Sequence, residues 1–333
     1  MRGGEIVPDQ PKIALVIAGG TIGMSYSERE GGYAPALGAQ DMFRWIDKAQ
    51  LNCSIEVVDW SHQPSCHYTT RMTIDLIQIL RKLVEDGFEG IAVTCGTDAM
   101  EEMAYLADLL WAYPQPLIFT GAVIPSDHIG TDAILNLNQA VLAAASKATW
   151  GLGVLVCMQD QLFAASEVCK MTNYRRDAFE APERGPVGEI VERNVQILRS
   201  PKRATPLPEP VVPAKDVEII WASLGGGEML LNLLTEEELD GIVLAAFGSG
   251  NVNPLWLPPI KNIVRRGIPV VLTSRCQRGQ VLSIYSYEGS ALKLFKAGVL
   301  NGGRLSPLQA RLKLAVGIGA GYTGDALQQY LLR

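Results

Sequence analysis

Four places in this 333-residue chain put a reactive side chain directly after an apolar run or in a polar loop. VIAGGTIGM (16–24) runs through two glycines to Thr21, and Tyr33 follows in GGYAP. VTCGTDAM (93–100) passes through Gly96 to Thr97 and Asp98, Ser65 stands in SHQPSCH (61–67), and Lys170 stands in SEVCKMTNYRRDAF. A threonine hydroxyl is a weak nucleophile until a neighbouring group takes its proton. Tyr33 would supply that for Thr21, and so would a Thr97–Lys170 pair polarised by Asp98. Taken singly, each has a plain structural account. Thr97 would serve as a helix N-cap, Asp98 as a carboxylate favoured at a helix N-terminus, and Lys170 as a solvated surface lysine. Their joint presence favours a reactive site over these separate structural accounts.

The elements that must hold these groups are legible as apolar runs. IALVIA (13–18), SIEVVD (54–59), GIAVT (90–94), PLIFTGA (116–122) and GVLVCM (153–158) read as strands. Helical patterns lie between them, around 72–86, 98–111 and 131–146. Ile74, Leu76, Ile77, Ile79, Leu80 and Leu83 form one broad apolar stripe that ends at Gly87. Such alternation predicts a mostly parallel sheet covered by helices on both faces. In that arrangement, residues just beyond the carboxyl ends of the strands meet at one edge, where open α/β sheets bind ligands. RSPKRATPLPEPVVPAK (199–215) carries five prolines and no helical period, and reads as an extended linker. Beyond it VEIIWASL, GIVLAAF and PVVLTS resume the pattern. The fold expected is two-domain α/β: a larger catalytic domain over 1–198, a linker over 199–216 and a smaller α/β domain over 217–333.

The chain is 48% hydrophobic and 19% charged, enough to build sizeable cores. A net charge of −6 without a long basic run argues against nucleic-acid binding. No apolar run is long enough to span a bilayer, and the opening MRGGEIVPDQ lacks the apolar core of a signal peptide, which predicts a cytoplasmic protein. Six scattered cysteines form no CxxC pair, so neither a disulfide framework nor a zinc site is expected. His62, Cys66 and His67 cluster, yet nothing completes a metal ligand set. GGTIG lacks the ending of a phosphate-binding P-loop.

AGGTI (18–22) and CGTD (95–98) resemble the two signatures of the bacterial-type L-asparaginase family, a strand followed by TGGTI and a strand followed by HGTD. The resemblance continues collinearly through PLIFTGAVIPSD, TDAILNLNQAV, VCKMTNYRRDAF, GSGN (248–251) and LSPLQARLKLAVG. It implies hydrolysis of a small-molecule amide through an acyl-enzyme, without metal or cofactor. By the same resemblance Thr21 is the nucleophile and Tyr33 its hydrogen-bonded partner, with Thr97, Asp98 and Lys170 as a second triad. Ser65 is then expected to hold a substrate α-carboxylate and Asp98 its α-amine. Backbone N–H groups at Thr97 and near Ala122 would face the oxyanion. Gly20, Gly96 and Cys66 are expected to line the same pocket. The resemblance also implies a homodimer or homotetramer with active sites lying between protomers, Ser249 reaching a neighbour's pocket.

The departures fall around the substrate's amino-acid head. The family usually has Thr at Ala18, His at Cys95, Thr at Ala99, and different residues at Cys66 and His67. Glu288 lies near, but out of register with, the acidic residue contributed by a neighbouring protomer. These changes remove no proposed catalytic group, so an asparaginase or a close relative with altered specificity is expected. Because they lie where the substrate's head is held, activity on free asparagine is expected to be weak compared with some other amide. Two rivals are a non-catalytic amino-acid sensor of the same fold and the related component of the transamidase acting on glutamyl-tRNA. The latter carries an extra N-terminal domain, for which a first strand at residue 13 leaves no room.

Overall fold

Ile13 through Ala18 are all fully buried, the condition for a strand in the middle of a parallel sheet. In the computed structural model, which describes residues 10–48, 51–207 and 211–333, they belong to β1 (Lys12–Ala18). Residues 1–9, most of the opening segment read above, and 208–210 of the proline-rich stretch lie outside the described residues. The chain divides into two compact units between Pro206 and Leu207.

In the first unit β1 is followed by a hairpin, β2 (Met24–Ser27) and β3 (Gly32–Pro35), then α1 (Ala39–Arg44) and β4 (Ser54–Ser61). Next come α2 (Thr70–Glu85), β5 (Gly90–Cys95), α3 (Met100–Leu110), β6 (Leu117–Thr120), α4 (Ala133–Ala145) and β7 (Val154–Met158). Five short strands close the unit: β8 (Gln161–Ala164), β9 (Cys169–Lys170), β10 (Phe179–Glu180), β11 (Gly188–Val191) and β12 (Asn194–Ile197). The main sheet has the order β12-β11-β8-β7-β6-β5-β1-β4. Its β4-β1-β5-β6-β7 portion is parallel throughout. β1 is flanked by β4 on one side and β5 on the other, so the strand order reverses beside it, at the place where such sheets open a ligand crevice.

Alternating residues of β1 feed the two faces. Ile13, Leu15 and Ile17 join Ala92, Ile118, Met42 and Leu137 in the core under α1 and α4. On the opposite face α3 packs against β6, β7 and α2. Thr69 caps α2, its hydroxyl accepting the Met72 N–H at 3.2 Å.

The strict β-α alternation expected of this domain stops at β7. Gln159 and Asp160, both at positive φ, turn the chain straight back, and β8, β11 and β12 extend the sheet antiparallel. Strands of four residues carry too little period to be read from sequence. The start of the proline-rich stretch is also more than a free tether. Arg199 clamps the Glu167 carboxylate, and Arg203 pairs with buried Asp108 at 2.9 Å. Asp108 in turn accepts the Val154 N–H at 3.0 Å.

The second unit holds β13 (Val217–Trp221), α5 (Glu228–Leu234), β14 (Gly241–Ala246), α6 (Leu257–Arg265), β15 (Val270–Ser274), α7 (Ala291–Lys296) and β16 (Leu300–Asn301). It ends in α8 (Pro307–Gly319) and α9 (Gly324–Leu332). Its four strands are parallel in the order β13-β14-β15-β16. Ser306 and Gln309 form the capping box that starts α8.

Candidate active site

Because β1, β4 and β5 are parallel neighbours in register, Ala18 lies opposite both Ser61 and Cys95. The loops leaving these three strands therefore start together at one edge. Packing between them explains the glycines. Gly19 and Gly20 have φ of 73° and 93°. A methyl group on Gly19 would fall 2.4 Å from the Gln63 carbonyl oxygen, and one on Gly20 would fall 2.3 Å from the Gly96 nitrogen. A methyl group on Gly96 would meet Ser65 Oγ at 2.5 Å. Three main chains touch here, and a Cβ on any of the three glycines would force them apart. Thr21 and Thr97 each follow one of the two contacting residues, Gly20 and Gly96. Thr21 opens a short 3-10 turn and is half-buried, in front of fully buried Ile22.

Thr97, Asp98 and Lys170 come together. Lys170 Nζ donates to Thr97 Oγ1 at 2.8 Å and to Asp98 Oδ1 at 2.6 Å. Thr97 is buried, the Lys170 side chain is 13% exposed and that of Asp98 is 70% exposed. The Lys170 ammonium thus joins a buried hydroxyl to a carboxylate in solvent. Thr97 is not a helix cap: α3 has Ala99 at its N-cap with no side-chain bond.

Ser65 is buried, and its Oγ accepts the Ala99 N–H at 3.3 Å, tying the loop after β4 to the start of α3. Cys66 and His67 are exposed beside it. His62 pairs with Asp59 at 2.8 Å. Among the described residues no group of three or more His, Cys, Asp or Glu is arranged to hold a metal. Cys95 is fully buried, and burial pushes its thiol far above the usual range, so it stays neutral. The Tyr68 hydroxyl donates to the Ala18 carbonyl at 2.8 Å, fixing the last residue of β1.

Tyr33 stands on the β2–β3 hairpin opposite Tyr26, the rings meeting edge-on at 5.7 Å. It is 47% exposed and makes no hydrogen bond to Thr21 among the described residues. The hairpin is fastened to the loop after β6: Tyr26 N–H donates to Asp127 at 2.7 Å, and Ser126 Oγ donates to the Met24 carbonyl at 3.1 Å. Ala122 is fully buried in that loop, one residue after Gly121, where a methyl group would press on the Cys95 carbonyl oxygen at 2.4 Å. Ser249 belongs to the second unit, between Gly248 and Gly250, and its carbonyl accepts the Leu282 N–H at 2.9 Å.

Three positioning residues escaped sequence reasoning. Buried Asp132 accepts the N–H groups of Val123 and Ile124 at 3.1 and 2.9 Å, and Asn136 Nδ2 donates to the Gly121 carbonyl at 2.9 Å. Together they hold the loop expected to face an oxyanion. Glu101, in the first turn of α3, accepts the Lys170 N–H at 3.1 Å. Asp132 and Asn136 are spaced i, i+4 in TDAILNLN, and Glu101 directly follows CGTDAM. Polar groups at those spacings beside a signature are the one signal that would have found them.

This fold and site have relatives among known proteins. A family profile described as Asparaginase, N-terminal matches residues 12–203, and one described as Glutaminase/Asparaginase C-terminal domain matches residues 216–331. The L-asparaginase of Bacillus licheniformis is 31% identical over 307 residues, covering 92% of this chain and 94% of that protein. A glutamyl-tRNA(Gln) amidotransferase component of Methanobrevibacter smithii is 27% identical over 330 residues, covering 94% of this chain and 73% of that protein. The crystal structure of the probable cytoplasmic L-asparaginase from Campylobacter jejuni aligns with a TM-score of 0.86 at 25% identity, over 97% of this chain and 100% of that one.

Proposed function

Since the chain belongs to the bacterial-type L-asparaginase family, we propose that it hydrolyses a carboxamide by way of an acyl-enzyme on Thr21. The observation that carries this reading is the contact of Lys170 Nζ with both Thr97 Oγ1 and Asp98 Oδ1. Such a line of groups is what a hydroxyl needs to lose and regain a proton.

In the first half-reaction Thr21 Oγ attacks the amide carbon while its proton is drawn off toward Tyr33, brought within reach when substrate is bound, or toward the Thr97–Lys170 pair once Lys170 is a neutral amine. The carbonyl oxygen becomes an oxyanion facing backbone N–H groups at Thr97 and near Ala122, where fixed donors contribute most to catalysis. Collapse expels the amine, which leaves with one proton, and an ester remains on Thr21. In the second half-reaction a water hydroxyl adds to that ester, the carboxylic acid departs, and the proton returns to Thr21. Ser65 and Asp98 hold the substrate's polar head, and Ser249 of a neighbouring copy closes the pocket.

The substrate is a small amide other than free asparagine. Cys66, His67 and Cys95 stand where the family usually has other residues, and a site that loses hydrogen-bond partners for a polar head loses selectivity for it steeply. A release assay for ammonia or amine over asparagine, glutamine, N-substituted and cyclic amides tests both parts. Turnover should be found, and another amide should exceed asparagine in kcat/KM. Asparagine as by far the best substrate would overturn the specificity reading, and no turnover on any amide would overturn the chemistry.

The glutamyl-tRNA(Gln) amidotransferase relatives support a second reading, in which the amide hydrolysed is a glutamine side chain and its ammonia is handed on. Preference for glutamine in the same assay would favour it.

A further inference from the structure

Lys170 reaches the proposed proton path from a poor foundation. Its strand β9 is two residues long and pairs with the equally short β10, Lys170 against Phe179 and Cys169 against Glu180. Neither strand joins the main sheet. Ribbons this short do not hold a register by themselves. Thr97 and Asp98, by contrast, sit between β5, in the middle of the main sheet, and α3, which packs on β6 and β7. Something must fasten the weak ribbon to this firm segment if Nζ is to stay 2.8 Å from Thr97 Oγ1.

The geometry points to Glu101 as that fastening: we propose that it is a positioning residue for Lys170, setting the distance from Nζ to Thr97 by holding the lysine's own main chain. Glu101 Oε2 accepts the Lys170 N–H at 3.1 Å. Its carboxylate also accepts the Cys169 thiol proton, so both residues of β9 hang on one side chain. Glu101 is three residues after Asp98, in the first turn of α3, where a carboxylate is favoured by the helix N-terminus. Lys170 is thereby attached to the same short segment at two points, by its N–H to Glu101 and by its Nζ to Thr97 and Asp98. A chain held at both ends cannot move its amine without breaking one of these bonds. Burial raises the Glu101 carboxyl, and the hydrogen bonds from Cys169 and Lys170 offset part of that rise.

This proposal rests on the role given to Lys170 above, and its test separates the two. On the best amide from the release assay, Glu101→Ala should lower kcat by roughly 100-fold with KM near parental, since misplacing a group by about 1 Å costs on that order. Glu101→Gln keeps an acceptor oxygen at the same reach and should restore most of kcat. Glu101→Asp withdraws the oxygen by one methylene and should behave like the alanine variant. Exchange of the Lys170 amide hydrogen should be fast in the alanine and aspartate variants and slow in the parent and the glutamine variant. That readout needs no substrate, so it stands even if no amide is turned over. Parental kcat in Glu101→Ala or Glu101→Asp, equal losses in the glutamine and alanine variants, or unchanged Lys170 exchange would each overturn it. Parental turnover in Lys170→Met would instead overturn the catalytic reading and leave the exchange result to judge the positioning. If Glu101→Ala fails to fold, the aspartate and glutamine pair decides.

Discussion

Lys170 Nζ lies 2.8 Å from Thr97 Oγ1, although the two residues are separated by 73 positions and sit on different elements. The same ammonium meets Asp98 at 2.6 Å, on the solvent side of the threonine. One ammonium thus links a buried hydroxyl to an exposed carboxylate.

Thr21→Ala and Lys170→Met should each lower amide turnover by at least ~10³-fold, the loss expected for a nucleophile or its proton-handling partner. Neither should unfold the protein, because Thr21 is only half-buried and Asp98 is solvated enough to lose its partner cheaply. Steady-state kinetics alongside circular dichroism checks this; folded variants with near-parental rates would refute the assignment.

Gly20→Ala should destabilise the fold by about 3 kcal/mol or more, because the added methyl both strains a positive φ and strikes the Gly96 main chain. Gly31, at φ of 66° with nothing within 4 Å of its missing Cβ, isolates the first of these effects. Gly31→Ala should cost only about 1 kcal/mol. Urea unfolding of the pair measures the difference, and equal losses would show that close approach of the loops is unimportant.

Lys313 is buried in α8, donating to the Arg333 carbonyl at 3.3 Å with the Tyr330 ring 5.4 Å from Nζ. Burial, aided by the nearby Arg333 charge, lowers it from 10.5 to about 8. The folded state therefore releases this proton before the unfolded state does. Stability should rise as pH rises from about 8 to 10.5, by about 3 kcal/mol at most. Lys313→Met should remove that rise and be the more stable protein at pH 7. Denaturation midpoints of parent and variant across that window provide the check, and parallel curves would contradict it.

The second unit exposes Leu224 completely, Met229 by 77% and Leu233 by 61%. Apolar area of this kind is what a second copy covers, and the proposed role of Ser249 requires a neighbour. Light scattering at working concentrations should give a dimer or tetramer, and Ser249→Tyr should depress turnover without loosening the assembly. A fully active monomer would contradict the prediction.

Much of the frame was legible before any coordinates. Continuous β-branched runs such as IALVIA can be stable only when buried on both faces, which dictates a parallel sheet with helices on either side. The 3.6-residue stripe from Ile74 to Leu83 dictates a helix and its inner face in the same way. What failed were elements too short to carry a period: the β2–β3 hairpin, the two-residue β9 and β10, and the antiparallel additions beyond β7. The PLIFTGA run also stopped earlier than its apolar character suggests, at Thr120, and Gly121 beyond it lies close against the Cys95 carbonyl.

The sequence by itself determined which groups stand after which strands: Thr21 after β1, Ser65 after β4, Thr97 and Asp98 after β5. That information is local, written in where an apolar run ends and a polar residue follows. Only the tertiary structure decided which of them touch. The contact of Gly20 with Gly96, the reach of Lys170 to Thr97, the engagement of Ser65 with the Ala99 N–H and the grip of Glu101 on β9 all join residues distant in the chain. Strand order, register and crossover set those distances, and each depends on the packing of the whole sheet. A glycine in a sequence says that some backbone approaches closely; the fold alone says whose.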